Sequence, residues 1–594
     1  MMRLMINKIF LAALYSFLFF YLGSTLLASE AYRAKMLGNI DLIKSILASK
    51  YAPAEWKKNY IGWDLEIEAQ AAKDEVLRRS SLSLHDYQKI LLNFFNSMQD
   101  YHVKIDFYAT EMSFLPFRLE GAEGRYFVAW LPKNSQSYAK MDSSLADMLA
   151  NMQIGDEVLA FGNMPIDEYF KKFSLKSFGK ALTATDQRLA EQYLTLRLAS
   201  MGYEVEQGSV PITIRHHHAN QINTYTPEWL YVPEHITNHS PSASFYSTCF
   251  GEICSMKKGL GFFDKEMITP LHRQMEVAKK SINKFKKENW GLLEEGNSES
   301  DYIVLGRYQS FVPELGEVLW RATSLHYYSY IFQTTNHKKI GYLRIPTYAA
   351  SENEYKELET IIQHFQNETD ALVIDQLNNP GGSLAYLLSL LSLLSEYSLE
   401  LPLERLTITQ QDVAKALKMV NNHHNILNDL IDNIPNFLIS RDNTEGITAF
   451  FQTIIDEWNA GRTFTQPLHY YGITSVSSNP HTHYNKPILI LVNSLDFSCA
   501  DLFPAILQDN QRAKVFGSPT AGAGGFVLEH EYPNLFGIAS FSYTGSIFYR
   551  TGDRPLENLG VTPDFPYEIT VDDLIYNYKG YTKAVLQAVE DLFK

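Results

Sequence analysis

Cysteine is scarce: Cys249, Cys254 and Cys499 are the only three in 594 residues. An exported disulfide scaffold uses more, and an even number, so this chain must rest on a packed core. Cys249 and Cys254 fall in one expected loop and can pair, but with no second pair they make a poor zinc site. Positive charge is also short. Lys and Arg number 52 against 67 Asp and Glu, a net charge of −15, which argues against a nucleic-acid partner, since that wants a basic face. Long apolar runs are missing after residue 29, so no membrane span is expected once that leader is removed. The run His216-His217-His218 has no accompanying carboxylate or cysteine pattern and reads as a solvated stretch. No metal and no cofactor are expected.

The leader has the marks of a secretory signal. Arg3 and Lys8 precede the apolar run Ile9 to Leu22, and small residues follow at Ser24, Ala28 and Ser29. The alternative is an uncleaved anchor, because the apolar stretch can be extended to Ala28, near the roughly 20 residues a span needs. No basic stop-transfer cluster follows, so an exported, secreted protein is expected.

A chain of this length divides into several units. Residues 30–111 read as helical up to about Met98, followed by the alternating strand Val103 to Phe107. His102 stands at that junction, where it is either structural or the edge of a cleft. Residues 112–225 form a β-rich module. Within it, Ile154-Gly155-Asp156-Glu157-Val158-Leu159 before the turn Gly162-Asn163 is similar to the core of a PDZ domain, which binds extended peptides at a sheet edge. An ordinary hairpin is the alternative. Residues 226–285 are irregular and punctuated by Pro227, Pro233, Pro241 and Pro270, as expected of a linker or a lid. Residues 286–594 alternate strand and helix, which implies a largely parallel sheet covered on both faces. Residues 400–470 read as helical.

Two turns carry the chemistry. Ile488 to Val492 reads as a buried strand, Cys499 to Leu507 as a helix, and Ser498 lies between them. A serine there is either a helix cap or a hydroxyl exposed where free N–H groups favour developing negative charge. Cys499 reads as a small buried hydrophobe. The second turn follows the strand Ala371 to Asp375 and runs through Asn379-Pro380-Gly381-Gly382. Glycines let N–H groups approach a carbonyl, as an oxyanion hole requires, and equally serve a tight turn. If both turns leave one end of one sheet, Gly381, Gly382 and the Cys499 N–H face Ser498. Glu557, in a turn before Gly560-Val561-Thr562-Pro563-Asp564, is either a surface carboxylate or a group that orients a histidine.

Together these pieces resemble the tail-specific (C-terminal processing) and tricorn-core serine peptidases. The residues that carry the resemblance are Asp375-x4-Pro380-Gly381-Gly382, Ser498-Cys499-Ala500-Asp501-Leu502-Phe503, Val515-Phe516-Gly517-x2-Thr520-x-Gly522 and Gly560-Val561-x-Pro563-Asp564. The order of helical cap, PDZ-like module and α/β core is similar too. In most of the family a lysine in the loop after the nucleophile helix is the base, and Ala523 stands at that place here. The resemblance is closest to a branch that uses histidine. It implies Ser498 as nucleophile, His102 as general base and Glu557 behind it, acting on peptides and proteins, host proteins included. It also implies a zymogen whose 226–285 segment blocks the site and is excised by the enzyme, the active form being a homodimer. A Ser/Lys processing peptidase and a non-catalytic binding protein on the same fold are the alternatives.

Overall fold

Uninterrupted apolar runs become the central strands. The computed structural model describes residues 30–132, 142–178, 182–234, 274, 278–282, 304–350, 352–421 and 444–594. Ala371–Asp375 and Ile488–Val492 are buried at every position and lie side by side in a seven-stranded sheet. The order is Glu317–Arg321, Ser329–Gln333, Lys339–Arg344, Ala371–Asp375, Ile488–Val492, Lys514–Gly517 and Phe565–Pro566. The first three strands pair antiparallel and the rest parallel. Helices Glu352–Glu368, Leu384–Ser392 and Cys499–Asp509 cover one face with a continuous apolar cluster, and Lys579–Asp591 covers the other. This is the arrangement that central strands lacking polar alternation demand.

The PDZ-like module is an antiparallel sheet in the order Arg118–Ala122, Arg125–Trp130, Glu157–Phe161, Ile212–Arg215, Ile222–Tyr225, with helices Ile166–Phe178 and Ala184–Tyr193 beside it. It continues past residue 225, since Leu230–Val232 pairs with Met112–Phe114. His216 departs from its reading as solvated. Its Nδ1 lies 2.9 Å from Asp156 Oδ2, and the His217 N–H donates to the same carboxylate, so the run closes a hairpin.

The N-terminal helices are not a separate body. Ser83 and Asp86 form the expected capping box of helix Leu84–Asn96, and the strand after it, Lys104–Phe107, joins Ile538–Thr544 of the catalytic part as an edge strand. This pairing carries His102, two residues ahead of the strand, to the peptidase core. Residues 400–470 correct the expectation of helix alone. Helices Gln410–Asn421 and Thr444–Asn459 are present, but Leu403–Leu406 and Leu468–His469 are strands, paired to each other, and the first also pairs with Ser546–Arg550. Strands this short leave little periodic signal. Among the described residues no helix is long and apolar enough to cross a membrane. The leader, Cys249, Cys254 and most of 226–285 lie outside the described residues.

Candidate active site

Ser498 occupies a sharp elbow. The chain leaves Ile488–Val492, turns through Asn493 to Phe497 and enters helix Cys499–Asp509 with Ser498 at φ 59°, ψ −116°. That conformation suits glycine and strains an L-residue by about 1–3 kcal/mol. Four contacts hold it. The Ser498 N–H donates to Asp501 Oδ2 (3.0 Å), the Phe497 N–H to the Asn379 carbonyl (3.0 Å), the Asn379 N–H to Asp496 Oδ1 (2.9 Å) and the Ala521 N–H to the Asp496 carbonyl (3.0 Å). The buried Asp496 thereby clamps the Ser498 turn to the glycine turn, and burial raises its carboxyl above the ordinary range. A strained elbow held on both sides presents a side chain at the end of the sheet.

The elbow makes a stability prediction. Ser498→Gly relieves about 1–3 kcal/mol of strain and adds about 0.5–1 kcal/mol of backbone entropy lost on folding. Inactive Ser498→Gly should therefore melt above inactive Ser498→Ala by the equivalent of about 1 kcal/mol. Equal melting by calorimetry would mean that the elbow holds no strain.

The glycine turn meets the elbow as its position in the sheet requires. A methyl group on Gly381, which sits at φ 88°, would lie 2.6 Å from the Phe497 carbonyl oxygen and 2.8 Å from Ser498 Cβ. One on Gly382 would lie 2.3 Å from the Tyr348 backbone. The Gly381 N–H is already taken by Asn379 Oδ1 (2.8 Å). Its part is close approach, which corrects its reading as an oxyanion donor. The N–H groups of Gly382 and Cys499 donate to no protein acceptor among the described residues. Cys499 is buried, its thiol donates to the Gly382 carbonyl (3.2 Å), and burial pushes it up to about 12. It is the inert packing residue expected of it.

His102 reaches the elbow through its neighbours. The Tyr101 ring meets the Phe497 ring edge-on at 5.6 Å. The His102 N–H donates to Asp100 Oδ1 (2.9 Å), and its carbonyl accepts from Ser542 Oγ (2.7 Å). Its ring is 1% exposed, yet neither ring nitrogen has a partner. Burial lowers its pKa from 6.5 to about 4, with Asp100 opposing and Lys57 and Lys104 reinforcing the shift. The imidazole is therefore neutral at physiological pH, the form a base requires.

Glu557 is also fully buried. Its loop is bound to helix Cys499–Asp509 through a short chain of contacts: the Asn558 N–H donates to the Gly522 carbonyl (2.8 Å), and the Gly522 N–H to Asp501 Oδ1 (2.8 Å). The Ala523 N–H donates to Asp501 Oδ2 (3.0 Å), so the position of the family lysine is a packed alanine. The bonded partner of Glu557 is a residue the sequence reading missed. Lys57 Nζ lies 2.5 Å from Glu557 Oε1, while Glu557 Oε2 has no partner. Burial, and then Asp100, raises the Glu557 carboxyl, and Lys57 opposes them. In this structure neither nitrogen of His102 is hydrogen-bonded to Glu557 or Ser498.

Residues 339–567 match peptidase family S41, and residues 111–236 match the PDZ domain. A protein of Chlamydia trachomatis serovar D is 31% identical over 574 residues, covering 92% of this chain and 90% of that protein. A protein of Chlamydia muridarum is 30% identical, with 94% and 92% covered. Among solved structures, mature CPAF is similar with a TM-score of 0.76 at 28% identity, over 94% of this chain and 98% of that one. The chain belongs to peptidase family S41. It is a CPAF-like serine-type endopeptidase acting on protein substrates. Two further CPAF structures, one complexed with lactacystin and one with a serine changed to alanine, are similar with TM-scores of 0.76 and 0.78.

Proposed function

We propose that Ser498, His102 and Glu557 act as nucleophile, general base and orienting carboxylate of an acyl-enzyme mechanism. The strained elbow at Ser498, pressed against Gly381, carries this reading. The neutral imidazole of His102 takes the Ser498 proton as Oγ attacks the scissile carbonyl. The N–H groups of Gly382 and Cys499 receive the oxyanion. The imidazolium then gives the proton to the leaving amine, and water releases the acyl group by the same steps in reverse order of partners. Glu557 steadies the imidazolium through Oε2, its oxygen without a partner. The ring nitrogens of His102, buried and unpaired, are what a base awaiting its partners presents.

The chain is further proposed to be exported by residues 1–29, to act on host proteins and to be made as a zymogen. In this reading the 226–285 segment occludes the site through residues such as Phe245, Phe262 and Phe263. Self-excision of the segment leaves an N-terminal fragment with His102 and a C-terminal fragment with Ser498 and Glu557, which remain associated as half of a homodimer. The pairing of Lys104–Phe107 with Ile538–Thr544 supports that association, since it crosses the two fragments. The similar CPAF structures are of a form described as mature. Wild-type and Ser498→Ala protein incubated side by side test the reading. Wild type should cut within 226–285, faster at higher concentration, and elute as a dimer, while Ser498→Ala stays whole and monomeric. Full activity of an uncut chain, or processing of Ser498→Ala, would overturn it.

A further inference from the structure

Lys57 is the one lysine among the described residues that the structure seals completely, at 0% exposure. A buried ammonium is costly unless each of its three protons finds an acceptor. Here they do. Lys57 Nζ donates to Glu557 Oε1 (2.5 Å), Asn558 Oδ1 (2.7 Å) and the Gln99 carbonyl (2.8 Å). The three acceptors come from two distant parts of the chain: Gln99 lies three residues before His102, and Glu557 and Asn558 lie in the loop bound to the nucleophile helix. Asn558 repeats the link by donating to the Gln99 carbonyl (2.9 Å) and accepting from Trp56 Nε1 (3.2 Å). Gln99 and Asn558 both adopt positive φ, at 48° and 62°, so the two turns are shaped around the lysine.

From this geometry we infer that Lys57 is a positioning residue of the hydrolytic reaction, fixing Glu557 with Oε1 occupied and Oε2 turned free for the imidazole. The inference rests on the role given above to Glu557 and deepens it. Three carboxylates or phenols surround the pair: Asp100 from the turn before His102, Asp501 from helix Cys499–Asp509 and Tyr51 from the turn before helix Ala54–Ile61. Both acids disfavour the Glu557 carboxylate, and Lys57 is the cation that favours it. Removing the ammonium while keeping the stem, as in Lys57→Met, frees the carboxyl to rotate and takes away the cation that opposes its upward shift.

A double-mutant cycle separates this role from bulk stability. Lys57→Met should lower kcat/KM at pH 7 by about 100-fold, the cost of a misplaced catalytic group, with the deficit narrowing as pH is raised and Glu557 ionises unaided. In a Glu557→Gln background the same substitution should cost nothing further, because the group it acts through is gone. If Lys57→Met alone does not fold, the comparison of Glu557→Gln with the double variant still decides, since the double variant buries no unpaired charge. A further loss in that background, or a deficit independent of pH, overturns the inference and leaves the catalytic role of Glu557 standing. Wild-type activity in Glu557→Gln overturns both.

Discussion

Replacing Ser498 by alanine is expected to lower kcat/KM by about 10⁴- to 10⁶-fold, as loss of the nucleophile does in other serine peptidases. The melting temperature should stay where it is. Two features of the elbow set this contrast. Alanine adopts φ 59° at the same cost as serine, and every contact that holds the elbow is made by backbone groups or by Asp496, Asp501 and Asn379. The substitution removes one oxygen from a half-buried position, and the Asp501 N–H that this oxygen caps keeps the Ser498 carbonyl as its acceptor (2.8 Å). Residual hydrolysis within tenfold of wild type would mean that the elbow presents the wrong residue. The neighbouring thiol offers no substitute nucleophile, since Cys499 is buried and pushed up to about 12.

His102→Ala should cost about as much, and adding it to Ser498→Ala should cost little more, because groups that act as a unit are not additive. The backbone anchors of His102, to Asp100 and Ser542, survive the change. The ring itself bonds nothing, so its removal leaves no orphaned partner. The pH dependence adds a sharper expectation. With burial holding His102 near 4, its loss of basicity should appear only well below the 6.5 of an ordinary histidine. A limb that persists above that range should belong to the raised carboxyl of Glu557 and vanish in Glu557→Gln. Activity in His102→Ala would move the base elsewhere.

Ser498, Gly381 and Gly382 were legible in the sequence because each sits in a local pattern. An apolar run, a polar turn and a helical repeat fall within about twenty residues of one another, and close approach in a sheet follows from two such units in parallel. His102 was legible as a junction, but its place beside the elbow depends on the pairing of Lys104–Phe107 with a strand more than four hundred positions away. Glu557 and Lys57 show where local reading stops. Lys57 and Lys58 are neighbours on helix Ala54–Ile61, with nothing in the pattern to tell them apart. One is sealed against Glu557 and the other is solvent-exposed beside Asp64. Only the meeting of turns distant in sequence makes the difference. The same limit explains His216, whose partner Asp156 lies sixty residues earlier, just ahead of the strand Glu157–Phe161. It also explains the strands of residues 400–470, too short for a period.

The central claim is that the hydroxyl at this elbow is the nucleophile. Labelling the purified protein with a fluorophosphonate and mapping the adduct by mass spectrometry tests it most directly. A single adduct on Ser498 is expected, absent from Ser498→Ala and strongly slowed in His102→Ala. An adduct on another residue, or an active enzyme that takes none, would contradict it.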